Sequence, residues 1–364
     1  MKVVWIHGVS RLRSPSMSKW VEMLLPEMRG LSADLDISVD EIRGIGVPAL
    51  KGLTNRYVLY TMHSLKLRGD LFHIHDHANS HLVPILPKES PKIVTVHDLY
   101  MLEGQVSDLR AAPFRLLNVR GIMRSQHIIT VSAHMKEEIV KRLSYPPERI
   151  SVIFCGIDHA RYRPTQGREV LAGHYGLGEG KRYLLFVGSE EPRKNFPSVL
   201  HAFRNLLADH PDLILVKVGP AGSRRYRLQS LKAVEELGLK NQVVFCGHVP
   251  EEHLPLFYSH AEALVAPSYY EGGSGMHVME AMACACPVVA SQIPQAKELT
   301  GNAVMYCDPH DPDDIYAKTN VILTDEETRL KVVSGGLRRA QELSWERSAR
   351  EHLVVYGRYL GIES

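Results

Sequence analysis

The segment Glu262–Ser291 reads EALVAPSYYEGGSGMHVMEAMACACPVVAS. A short apolar run leads into a glycine-rich turn, then a run of helix formers, then a second apolar run. Strand, turn, helix, strand is the repeating unit of a parallel sheet, because parallel neighbours need a crossover between them. Two carboxylates, Glu271 and Glu280, bracket a turn containing Gly272, Gly273 and Gly275. Ligands of parallel α/β sheets bind at the carboxyl ends of the strands, which is where this turn falls.

The alternation extends outward in both directions. KVVWIH, LFHIH, KIVTV, HIITV and ISVIF read as strands in the first half. SMSKWVEMLLPEM and SAHMKEEIVKRL read as helices, the latter with Ser132 as N-cap. Around residues 156–182 the pattern gives way to GIDHARYRPTQGREVLAGHYGLGEGKR, rich in glycine and charge. It restarts with YLLFVG, a helix from about Asn195, LILVKVG, a helix near 228–237, then QVVFCG, EALVAP, CPVVAS and AVMYC. Two doubly wound parallel sheets follow, each of Rossmann type, facing a cleft. We expect a first domain over 1–165 and a second over 166–344. The closing segment SWERSAREHLVVYGRYL begins at Ser344, and a helix over 345–364 is expected to cross back onto the first domain.

Bulk properties agree. A chain of 364 residues suits two domains. With 45% apolar and 23% charged residues it has ordinary globular composition. No apolar run reaches the roughly 20 residues that span a bilayer, and MKVVWIHGVS turns polar too early for a signal peptide. Five cysteines without a CxxC pair indicate buried free thiols rather than disulfides or a zinc ribbon. The expectation is a cytoplasmic protein. Residues 1–165 hold 22 Lys/Arg against 16 Asp/Glu, and the remainder 21 against 25. That mild asymmetry indicates no nucleic-acid partner but suits an acidic substrate or an anionic membrane near the first half.

Five places call for a chemical reading. After YLLFVG, the turn SEEPRKN puts Arg193 and Lys194 at a strand end before a helix. Cations beside unpaired helix N–H groups suit a diphosphate, and a solvated turn with Asn195 as N-cap fits the spacing equally well. In the opening segment, Ser274 and Gly275 offer backbone N–H groups to an anion, while Glu271 and Glu280 suit hydroxyl groups, which donate to carboxylates. A ligand half anionic and half polyol is a nucleotide sugar. After KIVTV, His97 is positioned to donate to a substrate, with Asp98 to orient it. The cluster HIHDHANSH is one residue short of the HxHxDH pattern of binuclear zinc hydrolases, and no second ligand group follows, so zinc is disfavoured. Finally, Arg110–Arg124 suggests a basic amphipathic helix. Pro113 starts it and leaves Arg110 outside, so peripheral membrane contact stays open beside an ordinary solvated face.

In this order the motifs resemble glycosyltransferase family 4 (glycosyl transferase group 1), retaining enzymes of the GT-B architecture. The resemblance rests on HIITVSAHMKEEIVKRLSYPPERISVIFCGIDHARYRP, LLFVGSEEPRKNFPSVLHAF, APSYYEGGSGMHVMEAMACACPVVAS and SWERSAREHLVVYGRYL. It implies transfer of a sugar, expected to be a hexose, from a nucleoside-diphosphate sugar to a glycan or lipid-linked acceptor, with no cofactor and no metal. It further implies that Lys194, beside Arg193, balances the donor diphosphate. Glu271 would hold the sugar, Glu280 the ribose, and His97 the sugar near the reaction centre. The backbone of Ser274, Gly275 and Met276 would meet phosphate or sugar, Gly247, His248 and Val249 would line the base, and Gly8 belongs to the first-domain phosphate loop. The sequence departs from the family at four points. Eight residues rather than seven separate the glutamates. Met276-His277 replaces Leu-Pro, Ser189 replaces an arginine, and Gly8 lacks a glycine neighbour, leaving Arg11 or Arg13 to compensate. These departures leave open a catalytically degenerate member that binds a nucleotide or glycan or supports a partner. A nucleotide-sugar epimerase of similar shape is a third reading. No GxGxxG follows the first strand, which argues against a dehydrogenase.

Overall fold

A computed structural model describes residues 1–9, 15–42, 54–99, 112–178, 180–271 and 275–362. They divide into two compact units, one built from Met1–Gly156 and Trp345–Ser364, the other from Ile157–Glu271 and Gly275–Ser344.

The first unit holds a six-stranded sheet in the order β2-β1-β3-β4-β5-β6. Its strands are β1 Lys2–Val9, β2 Asp36–Ile42, β3 Leu71–Ile74, β4 Lys92–Val96, β5 His127–Thr130 and β6 Ile150–Val152. Every neighbouring pair is parallel. Strands β3 and β4 are buried along their whole length, as expected where helices cover both faces of a sheet. The edge strand β2 is absent from the sequence expectation. Its DISVDEI alternates acidic and apolar residues and is mostly half-exposed, so it lacks the continuous apolar run of the central strands.

Helix Trp345–Leu360 completes this unit. Its Tyr356, Ala349 and His352 are wholly buried. Tyr356 pairs its hydroxyl with His73 Nδ1 at 2.5 Å, and Tyr359 donates to the Gln126 carbonyl at 3.0 Å. Trp345 lies 6.4 Å from Trp20 on helix Pro15–Leu31. Burial of a large apolar side chain contributes roughly 1.5–3 kcal/mol, so Trp345, Val355 and Tyr356 tie the end of the chain firmly to this sheet.

The second unit has the order β12-β11-β10-β7-β8-β9. Its strands are β7 Arg182–Val187, β8 Leu213–Val218, β9 Val243–Gly247, β10 Ala263–Ala266, β11 Val288–Ser291 and β12 Met305–Cys307. All are parallel. Counted from β7, this is the 3-2-1-4-5-6 order of a dinucleotide-binding sheet, whose strand order reverses between β7 and β10. The core gathers Phe186, Phe196, Phe203, Leu215 and Val289 between sheet and helices.

The division falls at Gly156/Ile157 rather than at the expected 165/166. The intervening residues pack within the second unit because their hydrogen bonds lie there. Ile157 N–H donates to Leu343 O at 3.0 Å and Thr165 N–H to Ser259 Oγ at 3.0 Å. Tyr162 is buried beside Tyr258.

Candidate functional site

The reversal between β7 and β10 brings two loops of the second unit together. After β7 the chain makes one tight turn, Pro192–Lys194, and Asn195 enters the left-handed region at φ 59. Asparagine tolerates that conformation better than most residues. Its side chain does not cap the following helix, Phe196–Asp209. Instead Nδ2 donates to Pro267 O at 3.0 Å and Pro309 O at 2.6 Å, tying the turn to the loops beyond β10 and β12. Tyr269 N–H donates to Arg193 O at 2.9 Å. The two loops are therefore stitched by backbone and amide contacts before any ligand arrives.

This stitching sets Lys194 Nζ 2.5 Å from Glu271 Oε1, with the side chains 11% and 15% exposed. Ser268 Oγ donates to the same oxygen at 2.6 Å. Arg193 stands 3.9 Å from Oε2 and His277 Nε2 3.9 Å from Oε1. Burial by itself raises the Glu271 pKa, but the Lys194 charge and hydrogen bond, with His277 and Ser268, outweigh it and hold the group at about 2. Burial, reinforced by Lys194, pushes His277 down to about 4 against the pull of Glu271. At neutral pH the cluster holds an ionised carboxylate, a half-exposed guanidinium and a neutral imidazole. Ser268 went unnoticed in sequence, and His277 was noted only as part of the Met276-His277 departure, with no role in the cluster.

The same turn is braced from its other side. Glu190 lies 3.2 Å from Lys217 Nζ and 2.7 Å from Arg227, and the side chains of Glu190 and Lys217 are 0% exposed. Lys217 also donates to Gly219 O at 2.6 Å and Pro220 O at 2.8 Å. A lysine inside the apolar run LILVKV is the sequence signal that was available for this brace.

Gly275 opens helix Met276–Ala283 at φ +38, and a Cβ there would stand 2.7 Å from Leu299 Cδ2, so the position requires glycine. Glu280 lies on the buried side of that helix and accepts from Tyr258 OH at 3.1 Å, apart from the Lys194–Glu271 cluster. Gly247 ends β9 and His248 and Val249 follow it, two strands from β7 and so about 10 Å across the sheet. His248 is exposed and Val249 buried, which leaves the backbone of Val249 as its polar feature. Ser274, Arg11 and Arg13 lie outside the described residues, as does Arg110.

Gly8 and His97 belong to the first unit. Gly8 has φ +90 and donates to Tyr60 OH at 3.2 Å, and a Cβ there would stand 2.6 Å from Asn79 Nδ2. The close approach that requires glycine is made by Asn79. His97 is buried against Trp20, with ring centroids 4.2 Å apart. The expected Asp98 partnership is not formed, since Asp98 lies 3.7 Å from His77. His97 Nε2 is 2.9 Å from His75 O. A carbonyl only accepts, so Nε2 carries the hydrogen and the unpartnered Nδ1 is left as an acceptor, not the expected donor. Burial lowers the His97 pKa to about 4. Both His73 nitrogens are engaged, one by Tyr356 and one by Thr95 at 2.7 Å. Among the described residues no group of three His, Cys, Asp or Glu is arranged to hold a metal.

Comparison with known proteins bears on this geometry. The pattern of Glycosyltransferase Family 4 matches residues 22–161, and that of Glycosyl transferases group 1 matches residues 168–339. The chain belongs to this glycosyltransferase family. It is 33% identical over 236 residues to O-antigen chain mannosyltransferase B of Escherichia coli, covering 63% of this chain and 60% of that relative's length. Sucrose-phosphate synthase from Thermosynechococcus elongatus superposes with a TM-score of 0.80 at 21% identity, covering 99% of each chain. Anabaena Alr3699/HepE, solved in complex with UDP and glucose, gives 0.78 at 16% identity over 98% of this chain and 99% of that one. The fold is GT-B. No helix among the described residues is long and apolar enough to cross a membrane.

Proposed function

We propose that the chain is a retaining, metal-independent glycosyltransferase that moves a hexose from a nucleoside-diphosphate sugar to a glycan or lipid-linked acceptor. The observation that carries this reading is the Lys194–Glu271 pair at the strand-order reversal of the second unit. A buried cation beside a buried carboxylate matches a ligand that is diphosphate at one end and polyol at the other. The E. coli relative is an O-antigen chain mannosyltransferase, which makes mannose the first hexose to test and a polysaccharide chain the first acceptor. That HepE was solved in complex with UDP and glucose supports a nucleoside-diphosphate donor.

Lys194 and Arg193 compensate the charge that builds on the leaving diphosphate as the anomeric C–O bond breaks. The N–H groups opening helix Met276–Ala283 add to that compensation. Their fixed cations fill the role a divalent ion would otherwise take. Glu271 holds sugar hydroxyls, and its pKa of about 2 keeps it an acceptor throughout. Glu280 is the ribose partner, pre-oriented by Tyr258. The acceptor hydroxyl attacks from the face the diphosphate leaves, and a diphosphate oxygen takes its proton, which gives retention. His97 serves as a neutral acceptor through Nδ1 for a sugar hydroxyl.

The test is donor turnover with EDTA present, using nucleoside-diphosphate mannose and glucose with and without an oligosaccharide acceptor. Release of nucleoside diphosphate with an α-configured product from an α-linked donor supports the reading. Absence of turnover with every donor, in protein that still binds nucleoside diphosphate, would establish a binding protein instead.

A further inference from the structure

The first unit carries a surface that sugar transfer leaves unexplained. Helix Ala112–Arg124, APFRLLNVRGIMR, is held in one orientation by its inner face. A Cβ on Gly121 would stand 1.8 Å from Ser80 O, so the helix backbone lies directly on the turn His77–Leu82. Asn118 Nδ2 donates to Tyr57 OH at 2.8 Å, and Ile122 is wholly buried. With that face fixed, the outer face displays Leu116 at 62% exposure, Leu117 at 44% and Met123 at 52%. Exposed Arg120 and Arg124 lie among them. An ordinary surface helix shows its charges and hides its leucines, whereas this one shows both.

A neighbouring stretch repeats the pattern. In Asn55–Leu65, Val58, Met62 and Leu65 are exposed by 49%, 62% and 57%. Their spacing of four and three puts them on one helical face. The two stretches touch through Tyr57 and Phe114, whose ring centroids are 4.5 Å apart. Neither 54–68 nor 112–124 contains an aspartate or glutamate. Exposed Lys66 and Arg68 flank the second stretch.

We propose that this two-helix face docks the protein onto an anionic lipid bilayer. Apolar side chains inserted at the headgroup boundary, among arginines and lysines, are the chemistry of interfacial attachment. Charge complementarity selects the lipid over a second copy of this chain. A two-fold pairing of this face would set arginines against arginines with no acidic residue to offset them. The surface lies in the first unit, so it stands independently of the donor chemistry.

The test is co-sedimentation of the full chain with vesicles of phosphatidylcholine alone and with about 30% phosphatidylglycerol, a charge density typical of anionic leaflets. Binding to the anionic vesicles, reduced by salt, is expected. L116D/M123D is expected to abolish it, and R120S/R124S to weaken it about 10–30-fold, each surface cation contributing a several-fold factor. R224S/R225S, on the second unit, is expected to bind like wild type. Circular dichroism and retained nucleotide binding separate lost docking from misfolding. Failure to bind anionic vesicles would overturn the proposal, as would undiminished binding by L116D/M123D. A concentration-dependent doubling of mass that L116D/M123D removes would overturn it in favour of a second copy.

Discussion

The two units share a parallel six-stranded sheet reversed near its first strand, yet they line its carboxyl end with opposite chemistry. In the second unit that edge is ionic, with Lys194, Glu271 and Arg193 on one side of a turn and Glu190, Lys217 and Arg227 on the other. In the first unit His75 and His97 follow β3 and β4, with His73 inside β3 and His352 on helix Trp345–Leu360 packed behind them, all buried. Desolvation lowers the pKa of His73, His75, His97 and His352, the last two to about 4. Fixed charges suit a diphosphate whose charge grows during reaction, and neutral hydrogen-bonding rings suit an uncharged hydroxyl. On the proposed function, the two parallel sheets would thereby present different chemistry to the two ends of the reaction.

The contrast can be broken most severely at Glu190. The variant E190A leaves Lys217 buried without its counter-charge, a loss of about 3–5 kcal/mol. Denaturant unfolding of the second unit is expected to shift accordingly, and an unchanged midpoint would show the brace is dispensable. Removing the cation with K194A is expected to lower kcat/KM for the donor about 10³-fold. It also costs some stability, because the buried Glu271 loses its nearest cation, so circular dichroism should accompany the kinetics. E271Q sharpens the division of labour. It should lower transfer about 10²-fold while affinity for the bare nucleoside diphosphate changes by less than about threefold, since the carboxylate faces the sugar.

The smallest effect concerns pH. Buried histidines of the first unit have native pKa values below their unfolded value of about 6.5. Between pH 6.5 and about 4 the unfolded chain therefore binds more protons. The stability of the first unit is complete above pH 6.5 and falls as pH drops through that window. Calorimetric melting should show its transition moving down. Glu271, held at about 2, should stay ionised across that window, so the Lys194–Glu271 pair should persist through it.

Much of this was legible in the sequence where burial is two-sided. KIVTV is strand β4 residue for residue, and the apolar runs of the second half fall on β7 to β12 within two residues. Strand β2 escaped because an edge strand with alternating acids carries no such signal. Lys194 and Glu271 were legible as strand-end residues, but their contact depends on which strands are neighbours, which spacing along the chain does not encode. The His97–Asp98 pairing failed for a related reason. Adjacent residues at a strand end point in different directions, so His97 turned to His75 O and Asp98 to His77. Ser268 and His277 acquire meaning only once Glu271 is fixed beside them.

The most direct measurement is calorimetric titration of the full chain, in EDTA, with UDP, GDP and ADP, repeated on K194A. One of the three is expected to bind without metal, and K194A to weaken that binding at least tenfold. Silence toward all three, or equal binding by K194A, would contradict the assignment of the Lys194–Glu271 pair as the diphosphate-sugar site.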